Sequence, residues 1–420
     1  MFLLGILSVL QMTLLPGVAV LATAWYRSTA ANVVVAAFAL SFALNYAFVT
    51  IFVMAGWYTR ATLLALIAVE IVAIIVAASR LRIDRGARAD RANGAVIVSS
   101  IAALAAIAYA AVKWLRSLGT PFQTWDAIHS WNRWARVFAA GMTPLDVQWY
   151  PQLIPANWSM SYVLMGKTSN ETFAKAPMGV FFLLTLVAIA AAGWRMRSPG
   201  ILLATPLVAL LDRKCVGEFL NDGYVDVPVA FFATASAVVL RCGGRGAVWI
   251  SCAIAAGAAL TKQAGAWYFL VWPVLAITIG SASFRDAMKP WLTAAAAPLA
   301  YYAAQALAIY HGVNYSNIGY VTHDIFRGAP IPARAIAAAG SLGIYIVVFA
   351  FAIASLPWQT RLARTVMLAI GLPYALVWAC WFSYDRRNIA LALPFVAIAA
   401  ADGAVELLGR ARLWIAHWRT

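Results

Sequence analysis

The chain has 420 residues, of which 64% are hydrophobic and only 11% charged, and its mean hydropathy is +0.81. A soluble domain carries about 25% charged residues, so a water-soluble globule is excluded. The formal charge of +16 is dispersed over many short loops instead of one stripe, which argues against nucleic-acid binding.

The apolar residues come in long runs, and about 20 in a row span a hydrocarbon core. The first run, Phe2 to Ala24, has no basic leader and no clear small-residue cleavage site, so it reads as a retained helix. An all-α transmembrane bundle of about 13 spans is expected. They are placed at 2–25, 31–56, 61–79, 94–115, 176–193, 200–212, 225–240, 247–261, 264–280, 291–311, 335–356, 365–382 and 388–408. With the N-terminus outside, one face receives Arg27, the cluster Arg80/Arg82/Arg85/Arg88/Arg91, Arg195/Arg197, Arg241/Arg245, Arg285/Lys289, Arg361/Arg364 and the tail with Arg410, Arg412 and Arg419. Short basic links of this kind mark a cytoplasmic face. Trp414 and Trp418 make the tail an interfacial anchor.

Acidic residues gather on the other face: Asp126, Asp146, Glu171, Asp212, Glu218, Asp222, Asp226, Asp324 and Asp385. Glu70 alone falls deep inside a span, where a carboxyl is either functional or a paired structural group. Cys215, Cys242, Cys252 and Cys380 form no CxxC pair and no disulfide framework. Internal repeats, phosphate loops and low-complexity linkers are not evident.

Residues 116–175 form the one long non-spanning segment, and such loops usually carry function. TWDAIHSWNRWARVF puts Ile128, Trp131, Ala135 and Phe138 on one helical face, with Asp126, His129, Arg133 and Arg136 near the other. This predicts an amphipathic helix in the membrane interface, followed by a second one at PANWSMSYVLMG after the turn Trp149-Tyr150-Pro151. Asp126 sits where an N-cap is expected, but Thr124 competes for that role. Thr168-Ser169-Asn170-Glu171 reads as a capping box, making Glu171 structural. Asp146 lies in a Pro144 turn and reads as solvated.

Three further outer segments should converge with this loop. In DRKCVGEFLNDGYVDVPVAFF, Asn221-Asp222-Gly223 is a turn and Asp226 precedes Pro228 at a helix start, where an N-cap is the structural alternative to a functional role. LTKQAG carries Lys262, which could simply snorkel. SYDRRN places Arg386 and Arg387 just before the final span, next to the positive end of its helix dipole. A bound anion would turn that repulsion into attraction; an ion pair with Asp385 is the structural alternative.

Taken together, these residues resemble the GT-C glycosyltransferases, multi-span enzymes that take sugars from polyprenyl-phosphate carriers. They include bacterial relatives of protein mannosyltransferases and the lipid A aminoarabinose transferase. The resemblance runs from about residue 94 onward. It rests on the order of TWDAIHSWNRWA, YPQLIPANWS, GYVDVPVAFF, LTKQAG and YDRRNIALALPF. It implies a GT-C bundle with 1–93 as additional N-terminal helices, 94–311 as the conserved module containing the catalytic loop, and 312–420 as C-terminal helices. It further implies Asp126 as catalytic base, with Lys262, Arg386 and Arg387 as candidates for the donor phosphate. Asp226, Asp222, Arg133, His129 and Tyr150 are candidates for a second carboxylate or for acceptor binding. Several relatives have an acidic pair in the first loop, whereas Asp126 is followed by Ala127, so metal use stays open. A divalent cation is possible as a cofactor, with His311, His323 and Asp324 as one potential ligand set.

The expected activity is inverting sugar transfer from a polyprenyl-phosphate donor to a lipid, glycan or protein acceptor, on the periplasmic face of a bacterial inner membrane. One carboxylate suffices to deprotonate the attacking hydroxyl, and the leaving phosphate needs neutralisation more than protonation. An oligosaccharide ligase using a diphosphate carrier and a non-enzymatic transporter or flippase are the alternatives. Against transport, charges concentrate in outer loops and scarcely enter the spans.

Overall fold

The computed structural model describes residues 1–24, 26–77, 82–83, 93–244, 246–314 and 329–417. Arg80, Arg85, Arg88, Arg91, Arg245, His323, Asp324, Trp418 and Arg419 lie outside the described residues. Of the proposed His311–His323–Asp324 metal set only His311 is described.

Among the described residues the regular structure is helical, apart from two two-residue strands, Arg27–Ser28 and Arg82–Ile83, which pair in parallel. The first four helices are α1 (Phe2–Thr13), α2 (Leu15–Thr23), α3 (Ala30–Met54) and α4 (Arg60–Ala77). Next come α5 (Gly94–Ser117), a π-helical turn Ala127–Asn132 running into α6 (Arg133–Ala139), and α7 (Leu153–Met165). The single turn α8 (Thr172–Lys175) leads into α9 (Met178–Met196), then α10 (Pro199–Cys215), α11 (Asp226–Cys242), α12 (Ala247–Ala259) and α13 (Gln263–Thr278). The chain continues through α14 (Phe284–Tyr310), α15 (Ile331–Leu342), α16 (Ile346–Ala354), α17 (Arg361–Val366), α18 (Leu372–Val377) and α19 (Leu393–His417).

Among the described residues seven helices are long and apolar enough to cross a membrane, or eight if the bent α1–α2 pair counts as one span. The protein is therefore a polytopic membrane protein. The expectation of about 13 spans is not reached on this measure, although a helix occupies each predicted position. α12 has 13 residues, about 20 Å at 1.5 Å per residue, against a core about 30 Å thick. α10, α11 and α13 are also short, at 17, 17 and 16 residues. α11 and α12 are almost wholly buried by their neighbours, so their continuous apolar sequence reflects protein packing on every side.

α3 is the central post. It touches α1, α2, α7, α9, α11 and α12. Phe38 meets Phe181 of α9 and Phe231 of α11 edge-on, with ring centroids 4.9 and 5.4 Å apart, the favoured geometry for aromatic quadrupoles. Residues 1–93 thus share one core with the rest of the chain.

α7 corrects the expectation of a second interfacial helix. All of its residues but Val163 are buried. Its polar side chains are consumed by the N-terminal helices: Asn157 Nδ2 donates to Phe42 O at 2.9 Å, Ser161 pairs with Ser8 at 2.8 Å and Ser159 with Tyr58 at 2.6 Å. Segment 1–93 covers the face that looked solvent- or headgroup-exposed in the sequence.

At one end of the bundle Gly244 N donates to Arg27 O at 3.2 Å, and Arg195 and Arg241 approach Cys242. The outer-loop segments meet at the other end.

The 43° bend between α1 and α2 has a local cause. Pro16 has no N–H to give to Met12, and the Gly17 N–H goes to Ser41 Oγ of α3 at 3.0 Å. A Cβ on Gly17 would stand 1.9 Å from Ala37 O, a backbone atom that cannot step aside. Gly17→Ala should therefore cost about 1–3 kcal/mol through overpacking, read as a lower apparent Tm of the purified protein in detergent. An unchanged Tm would mean that α2 and α3 are not in contact there.

Candidate functional site

Two carboxylates build the entrance to the first outer loop. Glu171 Oε2 accepts from Phe122 N at 3.0 Å, while Asp222 Oδ2 accepts from Gln123 N at 3.0 Å and Thr124 N at 2.6 Å. Three successive amides are thus gripped from α8 and from the turn before α11. Lys175 Nζ balances Asp222 and also donates to Thr120 Oγ1 at 3.0 Å and Pro121 O at 2.6 Å. Asn132 Nδ2 and Arg136 Nη2 balance Glu171 at 2.6 and 2.7 Å. Glu171 is structural, but not as a capping box: Asn170 Oδ1 takes the Thr172 N–H and the Glu171 side chain crosses to the loop. Asp222 likewise works as a loop anchor in this arrangement.

The grip fixes where the next helix starts. Thr124 Oγ1 turns to Asp222 O at 3.3 Å, and Asp126 caps nothing with its side chain. Its carboxylate instead receives Arg387 Nη2 at 2.7 Å, across 261 positions of sequence. Asp126 is 38% exposed and Arg387 only 16%, so the carboxylate stands nearer the surface than the guanidinium that holds it. Trp131, Ala135 and Phe138 are buried as predicted, whereas Ile128 is exposed and Ala127 is buried beside it. The π-helical turn shifts the helical phase at that point.

Arg387 is the hub. Its Nε bonds Asp385, its own N–H reaches Asp385 Oδ1 at 3.0 Å, and its guanidinium carbon lies 3.7 Å from the centroid of the Tyr224 ring. Burial works against the charge, but the carboxylates of Asp226, Asp385 and Asp126 outweigh it and hold the guanidinium protonated beyond its ordinary range. Burial also pushes the Tyr224 phenol up, countered in part by Arg387.

Deeper in, Asp226 at the first turn of α11 pairs with Lys262, and Lys262 Nζ also donates to Asn388 Oδ1 at 2.8 Å. Asp226 is an ion-pair partner and not a cap. Tyr374 of α18 donates to Asn388 O at 3.1 Å and Trp378 to Asp385 O at 3.1 Å, so SYDRRN is pinned from below. Lys262 does not snorkel; its side chain, 15% exposed, is held within this network.

The SYDRRN segment does not open the last long helix directly. Arg386 and Arg387 lie on a short 3-10 turn, Arg386–Ile389, and α19 begins only at Leu393. The predicted clash with the α19 dipole is absent for that reason. Asp385 compensates Arg387, as the structural alternative had it, while Arg386 is exposed and makes no ion pair among the described residues.

The remaining candidates divide. Trp125 is 71% exposed beside Asp126 and stacks on His129 with centroids 3.9 Å apart. Arg133 pairs with Asp146 at 2.7 Å on the surface, so Asp146 is not merely solvated. Tyr150 follows two non-glycine residues at positive φ, Gln148 (50°) and Trp149 (71°), a strained turn of the sort that recurs at functional sites. Its ring meets Trp131 at 5.3 Å, and it lies near Tyr384.

No protein-family model, curated protein or solved structure matches this chain. Its chemistry has to be read from the network itself. Among the described residues no three His, Cys, Asp or Glu side chains converge as a ligand set, and Asp126, Asp226 and Asp385 each have a cationic partner. That donor set does not suit a divalent cation. Sequence reasoning missed Tyr224, Asn388, Tyr384 and Lys175. Tyr224, Asn388 and Tyr384 lie inside quoted segments, directly beside or two positions from a charged candidate; Lys175 carried no sequence signal.

Proposed function

We propose that the protein is a membrane glycosyltransferase that moves a sugar from a polyprenyl-phosphate donor to a lipid, glycan or protein acceptor, with Asp126 as base. The observation that carries this is the half-exposed Asp126 carboxylate held by Arg387, backed by the Asp226–Lys262 pair and flanked by exposed Arg386, which makes no ion pair among the described residues. The outer end of the bundle is taken as the periplasmic face of a bacterial inner membrane, on the positive-inside rule.

The donor phosphate docks at Arg386 and competes with Asp126 for the Arg387 fork. Once Arg387 turns to the phosphate, Asp126 is free to accept a proton. The acceptor O–H loses that proton to Asp126 as its oxygen attacks the anomeric carbon. The bond from that carbon to the phosphate oxygen breaks, and polyprenyl phosphate leaves with the electron pair, neutralised by the two arginines. Attack opposite the leaving group inverts the anomeric centre. Trp125 and Tyr150 offer flat surfaces for sugar rings, and the apolar helices face the isoprenoid tail.

The test is transfer of radiolabelled sugar from polyprenyl-phosphate donors by the reconstituted protein. Arg386→Ala should raise the KM for the donor about tenfold, the worth of one charge-assisted contact, and lower kcat as well, because the leaving phosphate loses one of its two neutralising arginines. Absence of transfer from any polyprenyl-phosphate sugar, with lipid or solute flux in its place, would overturn the reading in favour of a transporter. Transfer of a whole glycan from a diphosphate carrier would place it among ligases.

A further inference from the structure

Helices α1 to α4 enclose a polar cluster that the outer network does not use. Gln11 lies in the last turn of α1, Asn45 on α3 and Glu70 on α4. Gln11 and Asn45 are completely buried and Glu70 is 6% exposed, although Val69, Ile71 and Val72 beside it face outward. Gln11 Nε2 donates to Asn45 Oδ1 at 3.0 Å and to Glu70 Oε1 at 3.1 Å, and Asn45 Nδ2 donates to Gln11 O at 2.9 Å.

Both hydrogens of the Gln11 amide are then used. Glu70 Oε2 and Gln11 Oε1 remain sealed from water with no donor among the described residues. Orphaned buried acceptors are rare and call for an explanation, and two in one cluster point to a missing positive ligand. Among the described residues the chain does not supply one nearby. α1, α2, α3 and α7 carry no charged side chain, and Tyr46 and Tyr162 are their titratable groups. Arg60, the other charged residue of α4, is ten positions from Glu70, about 15 Å along the helix. The cluster also sits where α1 breaks, so the negative end of that half-helix dipole faces the same region.

We infer that Gln11, Asn45 and Glu70 form a binding site for a small monovalent cation, a proton or Na+, held on the Glu70 carboxyl at the broken end of α1. One carboxylate and two neutral amides balance a single positive charge, which excludes a divalent ion. The inference does not depend on the transferase reading, since it concerns other residues at a different depth.

Dicyclohexylcarbodiimide, which reacts with protonated carboxyls in apolar surroundings, tests it on the intact protein in Na+-free choline buffer. The label should appear on the peptide bearing Glu70, be lost in the isosteric Glu70→Gln, and fall at least tenfold from about pH 5 to about pH 9. Slower labelling when Na+ replaces choline identifies Na+ as occupant; no effect of Na+ identifies the proton. An infrared carboxyl band that vanishes in Glu70→Gln and titrates over the same range reads the same group without the reagent. Labelling that ignores both pH and Na+, or no label together with no such band, overturns the site. Co-elution of Glu70→Gln with the wild type on size exclusion shows that lost label is not lost fold.

Discussion

Asp126→Asn should lower kcat for sugar transfer by about 10²–10⁴-fold, the range associated with loss of a general base, while the protein still inserts and elutes as the wild type does. The substitution keeps the shape of the side chain and one hydrogen-bond acceptor for Arg387. It removes the proton acceptor itself. Folding should tolerate this because Asp126 is 38% exposed and Arg387 keeps Asp385 and the field of Asp226. Asp385→Asn provides the contrast: it loosens Arg387 without touching the attacking hydroxyl, so KM should move more than kcat. Wild-type turnover by Asp126→Asn would remove Asp126 from the chemistry and leave it as a partner of Arg387.

Lys175→Met should be the most destabilising single change near the site, costing about 3–5 kcal/mol. Lys175 and Asp222 are both buried, and deleting the ammonium leaves Asp222 as an uncompensated charge that still grips Gln123 N and Thr124 N. Combining Lys175→Met with Asp222→Asn should recover part of the loss, because no buried charge is then stranded. Tryptophan-fluorescence thermal unfolding in detergent reads the sequence of Tm values. Transfer activity of the double variant should stay low even where stability returns, since the loop that presents Asp126 has lost its anchor. A double variant less stable than Lys175→Met alone would show that the pair does not form in the folded protein.

Some of the site is readable along the chain because its chemistry is concentrated in short polar islands between apolar runs. Asp126, Asp226, Lys262 and Arg387 stand out since an ion beside a hydrophobic span is costly unless partnered. Which ion meets which is not written locally. Arg387 and Asp126 are 261 positions apart, and Lys262 and Asn388 are 126 apart. Lys175 illustrates the opposite failure. In the sequence it is one lysine ahead of an apolar run, and only its burial against Asp222, Thr120 and Pro121 reveals its role.

The membrane character of the protein and the segregation of basic loops from acidic ones follow from composition and order alone, because the hydrocarbon core accepts only long apolar helices and the charges must lie at their ends. The positions of the helices follow for the same reason. Tertiary structure decided which of those helices are long enough to cross and which are short and enclosed by neighbours, since an apolar run looks the same facing lipid or protein. It also turned α7 into a core helix, because α1, α3 and the Tyr58 turn supply partners for Asn157, Ser159 and Ser161 that periodicity cannot foresee. Finally, it joined Asp126 to Arg387 and Glu70 to Gln11 and Asn45. Those contacts depend on how helices distant in sequence are brought side by side, and that arrangement is a property of the assembled core.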